Sequence, residues 1–285
     1  MNLTFLGTGA AEGIPGLWCT CERCQAARRG GERSRRLRCV LAIDGRLLID
    51  CGPDLLAASA RYDVDLSRVQ TLLITHEHSD HLYLPNLECR GGDFCPTPLP
   101  TLDVYGSAGA VGKIRGPRDD EDVHAREESL HLRTHAVSAF QTWEADGYRV
   151  TALRARHGGP SMEPLFYAIG DGHSSILYAH DTGPFPEETW AHLTEPPDGR
   201  RWAFDLVSID ATMGLLERSG ETHLNLHQVV EHRDRLARAG VLKPGARVLA
   251  NHFSHNGTPA HPALAERLAG RSIEPAFDGL TITLP

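Results

Sequence analysis

The chain is 285 residues long, with 41% hydrophobic and 23% charged residues and a formal net charge of -8. These proportions are those of an ordinary globular protein and exclude a disordered chain, while no apolar run reaches the roughly eighteen residues of a membrane-spanning helix. The acidic balance disfavours general nucleic-acid binding, which calls for a basic excess.

In chain order, NLTFLGTG reads as a strand entering a glycine turn, and MNLTFLGTGAAEG lacks the basic region and long apolar stretch expected of a signal peptide. WCTCERC follows, bringing Cys19, Cys21 and Cys24 together among seven cysteines. An odd count crowded in this way favours metal ligation in a reducing, cytoplasmic compartment over a disulfide framework. The basic run RRGGERSRRLR, Arg28 to Arg38, is either a solvated loop or a patch attracting an anionic substrate. VLAIDGRLLIDCG predicts a hairpin turning at Asp44-Gly45, Pro53 to Arg61 a helix, and VQTLLITH a buried strand.

Further strands are predicted in YRVTALRARHG, SSILYAHDTG, FDLVSIDATMG, ARVLANHFSHNG and DGLTITLP. Helices fall between them at Pro186 to Leu193, in LNLHQVVEHRDRLARAG up to a stop at Gly240, and in PALAERLAG. The alternation predicts a layered α/β architecture and one domain over 1–285. The stretches 112–135 and 195–201 interrupt it and are read as surface insertions or connections.

THEHSDH stands directly behind the TLLI strand, and desolvating so many ionisable groups there is costly without a partner. Residues i and i+2 of an extended segment share a face, so His76 and His78 point to one centre. A turn into a helix then swings Asp80 and His81 towards a neighbouring one. His157, Asp181 and His252 each stand just past a later apolar strand. Such nitrogen and oxygen donors suit Zn(II), Mn(II) or Fe(II), and two metals a few ångströms apart clamp a pair of reacting oxygens. Asp210 also ends a strand and is expected to hydrogen-bond a ligand histidine. His173, His180 and His192 are read as ordinary polar residues, with His180 adjoining Asp181.

HEHSDH with a later histidine, aspartate and histidine resembles the metallo-β-lactamase superfamily along nearly the whole chain, from LGTGAAEG through LIDCGPD to FDGLTI. The resemblance implies a four-layer αββα sandwich with a dinuclear site at the strand ends. Carried over, His76, His78 and His157 hold a first metal, Asp80, His81 and His252 a second, and Asp181 bridges them. Glu77 and Ser79 occupy variable positions and receive no role. Cys19, Cys21 and Cys24 are one ligand short of a tetrahedral zinc site, and His255 is expected as the fourth, making 17–39 a structural-zinc loop.

The C-x-C-x-x-C motif after LGTG, the Arg-rich loop and H-x-S-H near the C-terminus narrow this further. Together they resemble the branch containing the phosphoribosyl 1,2-cyclic phosphate phosphodiesterase of phosphonate breakdown. That branch implies a substrate-contacting histidine, and His223 in GETHLNLHQV stands at the corresponding place, with His227 one helical turn away. The expected function is hydrolysis of a small or cyclic phosphodiester, with Asp80 and Asp181 serving the metals and His223 contacting the phosphate or protonating the leaving oxygen. The expected partner is that small anionic substrate, with no general nucleic acid and no membrane; a homodimer is compatible.

Other readings stay open. Lactone or thioester hydrolysis uses the same fold, as does a ribonuclease Z-like nuclease, whose long exosite arm is not found here. A metal oxygenase like pyrroloquinoline quinone biosynthesis protein B shares the cysteine motif. A non-enzymatic binding module is the remaining class. His124, His131 and His135 have no counterpart in the family.

Overall fold

The computed structural model describes residues 1–117, 119–217 and 221–285. Among these, one seven-stranded sheet contains β1 (Asn2–Gly7), β2 (Val40–Ile43), β3 (Leu47–Ile49), β4 (Thr71–Leu73), β5 (Leu102–Gly106), β6 (Leu132–Ala136) and β14 (Leu280–Thr283). The other contains β7 (Thr142–Ala145), β8 (Tyr148–Arg154), β9 (Leu165–Gly170), β10 (Ser175–Ala179), β11 (Phe204–Asp210), β12 (Leu242–Asn251) and β13 (Glu274–Pro275). Each sheet is mixed: β3 to β6 run parallel, as do β10 to β13, and the remaining pairs are antiparallel.

Alternation along the strands builds the layers. Leu41, Ile43, Leu47, Ile49 and Leu73 point inward and meet Val150, Tyr167, Ile169, Ile176 and Leu249 of the facing sheet in a shared core. Their neighbours Val40, Ala42, Leu48 and Leu72 point outward, under α2 (Leu55–Tyr62), α3 (Leu84–Glu88) and α4 (Ala108–Arg115). On the far side, Phe166, Ala168, Leu177 and Val207 pack beneath α6 (Glu187–Thr194), α7 (Leu226–Arg238) and α8 (His261–Leu268). The result is the αββα sandwich that the resemblance implies. Because both faces of each sheet are covered, strands such as VLAI and LFYAIG are apolar throughout, each Val, Leu, Ile or Phe side chain contributing about 1.5–3 kcal/mol when fully buried.

The expected hairpin turns at Asp44 and Gly45, both with positive φ, as its tight turn requires. Helix α7 begins where Asn225 and Gln228 form a capping box, and its buried Leu226, Val229 and Leu236 follow helical spacing.

Of the two readings of 112–135, the structure favours the connection: the stretch ends α4, contains α5 (Asp120–Ser129) and enters β6, which pairs in parallel with β5. Parallel neighbours need such a crossover, and β6 escaped notice because LRTHA mixes apolar with polar residues. Arg118 of that stretch lies outside the described residues. Arg28, Arg29, Arg33 and Arg35 of the basic run are exposed, as either reading of it expects. The run begins in the last turn of α1 (Glu22–Arg29), Arg38 pairs with Asp54, and Arg36 is buried, donating to Thr8 Oγ1 and the Ala276 carbonyl.

Candidate metal centre

The C-terminal ends of β3, β4, β8, β10, β11 and β12 meet at one edge of the sandwich, and each is followed by a titratable side chain. After β4, His76 Nε2 lies 2.9 Å from His78 Nδ1, and His157 Nε2, past the end of β8, lies 3.2 Å from the same atom. Beside this trio, His81 Nε2 lies 3.0 Å from both Asp80 Oδ2 and Asp181 Oδ2, while His252 Nε2 lies 2.8 Å from Asp181 Oδ2. Asp181 Oδ1 faces the first trio, 3.6 Å from His157 Nε2. Every residue assigned to the two centres is therefore gathered, with Asp181 between them.

The surrounding hydrogen bonds fix which nitrogen faces the centre. His81 Nδ1 lies 2.7 Å from Asp50 Oδ2, an acceptor. The Thr75 hydroxyl donates to Asp50, so it accepts from His76 Nδ1 at 3.0 Å. Thr212 Oγ1 lies 2.7 Å from His252 Nδ1, and the Thr222 carbonyl 3.3 Å from His157 Nδ1. With Nδ1 engaged in each of these rings, Nε2 is the nitrogen left facing the centre, and in the neutral ring it carries the lone pair a metal requires.

The same point emerges from what is left unpaired. Among the described residues, His81 Nε2, Asp181 Oδ2 and His252 Nε2 are buried with no hydrogen-bond partner outside the cluster they form with Asp80. Orphaned polar atoms cost about 1–3 kcal/mol each, and a divalent cation satisfies all three together. The donor set fits such an ion.

Electrostatics follow the geometry. Burial alone would push the His81 imidazole down, but Asp181, Asp50 and Asp80 outweigh it and hold it well above the ordinary range. Burial, reinforced by His81, keeps His76 well below its ordinary value. Asp181 is held far down by His252 and His81 despite its burial. Strand ends are strained here, since Asp50, Asp181 and His252 all adopt positive φ.

His223 lies beside the centre, its ring 4.8 Å from that of His157. Burial opposes its charge, but Asp210 Oδ2 at 3.0 Å prevails and raises it to about 9. Asp210 thus serves His223 directly and reaches His252 mainly through Thr212, a refinement of its expected role. His227 is exposed and faces Glu231 on the helix. His180, expected to be an ordinary polar residue, is fully buried, with Nε2 2.8 Å from Ser208 Oγ and its ring on Tyr178.

Asp50, Thr75 and Thr212 were missed by sequence reasoning. Asp50 carried the readable sign, an acid just past the apolar LLI, as Asp181 is past SSILYAH. The threonines carry none, because a lone hydroxyl next to a histidine is common.

The second cluster also forms. Cys21 caps α1, its sulfur accepting from the Cys24 amide, and that bond is the largest cause holding the Cys21 thiol down at about 6. His255 Nδ1 lies 3.6 Å from Cys21 Sγ and 3.9 Å from Cys19 Sγ. Cys24 Sγ completes a four-donor group, and none of the seven cysteines forms a disulfide. Its donors are those of a tetrahedral zinc site.

Among known proteins, the pattern of the Beta-lactamase superfamily domain matches residues 45–253. A ribonuclease BN of Erwinia tasmaniensis is 28% identical, over 62% of this chain and 61% of its own length. The chain spans less than two thirds of the first curated relatives it matches, 16%, 61% and 58% of their lengths. A diphosphatase from the PhnP family superposes with a TM-score of 0.74 at 21% identity, covering 100% of this chain and 98% of that one. Zn(2+)-bound PqqB from Methylobacterium extorquens superposes at 0.69 with 20% identity, covering 100% of both.

Proposed function

This chain belongs to the beta-lactamase superfamily, and on that premise we propose that it is a metal-dependent hydrolase of small or cyclic phosphodiesters. The observation that carries this reading is the convergence of orphaned His81 Nε2, Asp181 Oδ2 and His252 Nε2 beside the His76, His78 and His157 trio. In it, His76, His78 and His157 hold one divalent ion, Asp80, His81 and His252 a second, and Asp181 serves both. When bound, such ions, Zn(II), Mn(II) or Fe(II), supply Lewis acidity at phosphate oxygens and lower the pKa of water to near neutrality.

The chain's own groups do the rest. Asp50, Thr75, Thr212 and the Thr222 carbonyl hold His81, His76, His252 and His157 in their ligating tautomers. His223, charged through Asp210, keeps its Nε2–H for the substrate, attracting the anionic phosphate and giving a proton to the departing oxygen. A cationic donor next to the centre favours an anionic ester over a neutral lactone or thioester, and similarity to a diphosphatase and a ribonuclease supports the same class. Cys19, Cys21, Cys24 and His255 hold one structural zinc in this reading, stiffening the segment that carries His252. Among the described residues no helix is long and apolar enough to cross a membrane. With its cysteines unpaired, the chain suits the cytoplasm.

The test is turnover of bis(p-nitrophenyl) phosphate and a ribose 1,2-cyclic phosphate by wild type and Asp181→Ala. Cleavage that disappears in the variant supports the proposal. A fully metal-loaded wild type that cleaves neither diester overturns it, and oxygen consumption by that protein would favour an oxygenase instead.

A further inference from the structure

Besides Asp50 on the His81 ring and the Cys51 amide on the His81 carbonyl, the ligand-bearing turn between Glu77 and Leu82 is held from outside by a lysine that reaches both of its ends. Lys113, half-buried on α4, donates from Nζ to the Glu77 carbonyl at 2.5 Å and to the Leu82 carbonyl at 3.2 Å. Between those carbonyls lie His78, Asp80 and His81, and the turn itself closes when the His81 and Leu82 amides donate to the His78 carbonyl at 3.1 and 2.8 Å. The ammonium therefore bridges the two ends of the segment.

Glu77, given no role by its position in the motif, belongs to the same arrangement. Its carboxylate lies against Gly109 in the first turn of α4, where a Cβ would stand 2.8 Å from Oε1. Lys113 stands one turn further along, attracted by both Glu77 and Asp80. Helix α4 thus receives the glutamate at one end and grips the loop backbone from the next turn.

We propose that Lys113 is a positioning residue for the Asp80 and His81 half of the metal centre, an assignment that rests on the dinuclear reading above. His76 does not depend on it in the same way, because Thr75 and the end of β4 fix its ring. Without the ammonium, the Glu77 and Leu82 carbonyls lose a shared donor and the turn relaxes. Asp80 and His81 then no longer meet His252 in one place. Supporting groups of this kind typically change metal affinity by about 10–100-fold.

The experiment uses metal-stripped full-length wild type and Lys113→Met, with Lys113→Gln, which keeps an amide donor, as the second variant should the first not fold. Hydrogen exchange at the His81 and Leu82 amides is measured before metal is added, and zinc is then titrated by calorimetry. Expected are exchange at least about tenfold faster at those amides, one of the paired metals bound about 10–100-fold more weakly, and unchanged zinc affinity at the cysteine cluster. Lys113→Gln is expected to show a smaller loss. Exchange unchanged within twofold overturns the proposal, as does equal weakening at all three sites, which reports general destabilisation. Faster exchange in a protein whose wild type takes up no metal pair leaves the staple standing and overturns the dinuclear reading alone.

Discussion

Asp210 Oδ2 lies 3.0 Å from His223 Nδ1 and 3.1 Å from the Thr212 hydroxyl that faces His252, so one buried carboxylate orients both the candidate proton donor and a candidate metal ligand. Its other oxygen accepts from the Thr212 and Leu224 amides, each at 3.0 Å, which pins the loop preceding α7. One buried carboxylate thus links the position of His223 to that of His252.

The charge of His223 depends on that carboxylate. Its folded value of about 9 lies above the ordinary histidine range, so the imidazolium persists at neutral pH and is lost as pH rises through about 9. Diester turnover should fall on that alkaline limb. Asp210→Asn should lower kcat about 10²–10⁴-fold and move the limb towards pH 7, as a pH–rate profile would reveal. An unmoved limb would assign it to another group.

Asp50→Asn tests the support of His81. The carboxylate is fully buried and accepts from the Thr75 amide and hydroxyl as well as facing His81 Nδ1. An amide cannot accept from all three, so divalent-metal affinity should drop about 10–100-fold in an isothermal titration. Affinity within twofold of wild type would remove Asp50 from the account.

Gly52 stands where a Cβ would be 2.1 Å from the Asp80 carbonyl oxygen. Both partners are backbone, so Gly52→Ala has to move the chain that carries Asp80. The variant should lose at least about tenfold in kcat and about 1–3 kcal/mol in urea unfolding. Wild-type values in both measurements would show that the loops separate without consequence.

For the cysteine cluster, Cys21→Ala should lose about one zinc per chain and melt earlier. The Cys21 thiol is held down at about 6 from its ordinary 9, so the stabilisation from its thiolate is complete above pH 9 and vanishes as pH falls through about 6. Zinc release followed with a chromophoric chelator should increase on acidification, because protons compete with the metal for the thiolates. Unchanged zinc content in the variant would refute the site.

Much of the centre was readable because chemistry and fold share one signature here: a ligand-type residue directly behind an apolar strand. His76, His157, Asp181 and His252 all carry it. Asp50 carries it as well, but its strand belongs to a hairpin whose turn dominated the pattern. Lys113 and Arg36 were illegible for a different reason. A long cation shows its role only through the carbonyls it reaches, and those lie 31 and 240 residues away in the chain at Leu82 and Ala276. Strands β5 and β7, which mix apolar with polar residues, were missed where partners in the sheet, more than local pattern, make the strand, whereas the apolar run of β9 was legible and passed over.

The measurement that bears most directly on the central claim is metal content of the purified protein by elemental analysis, for wild type, Asp181→Ala and Cys21→Ala in parallel. The account predicts about three divalent ions per chain in wild type, about one remaining in Asp181→Ala and about two in Cys21→Ala. A wild type that holds no more than one ion after saturation with zinc or manganese, or an Asp181→Ala variant that keeps all of them, would contradict it.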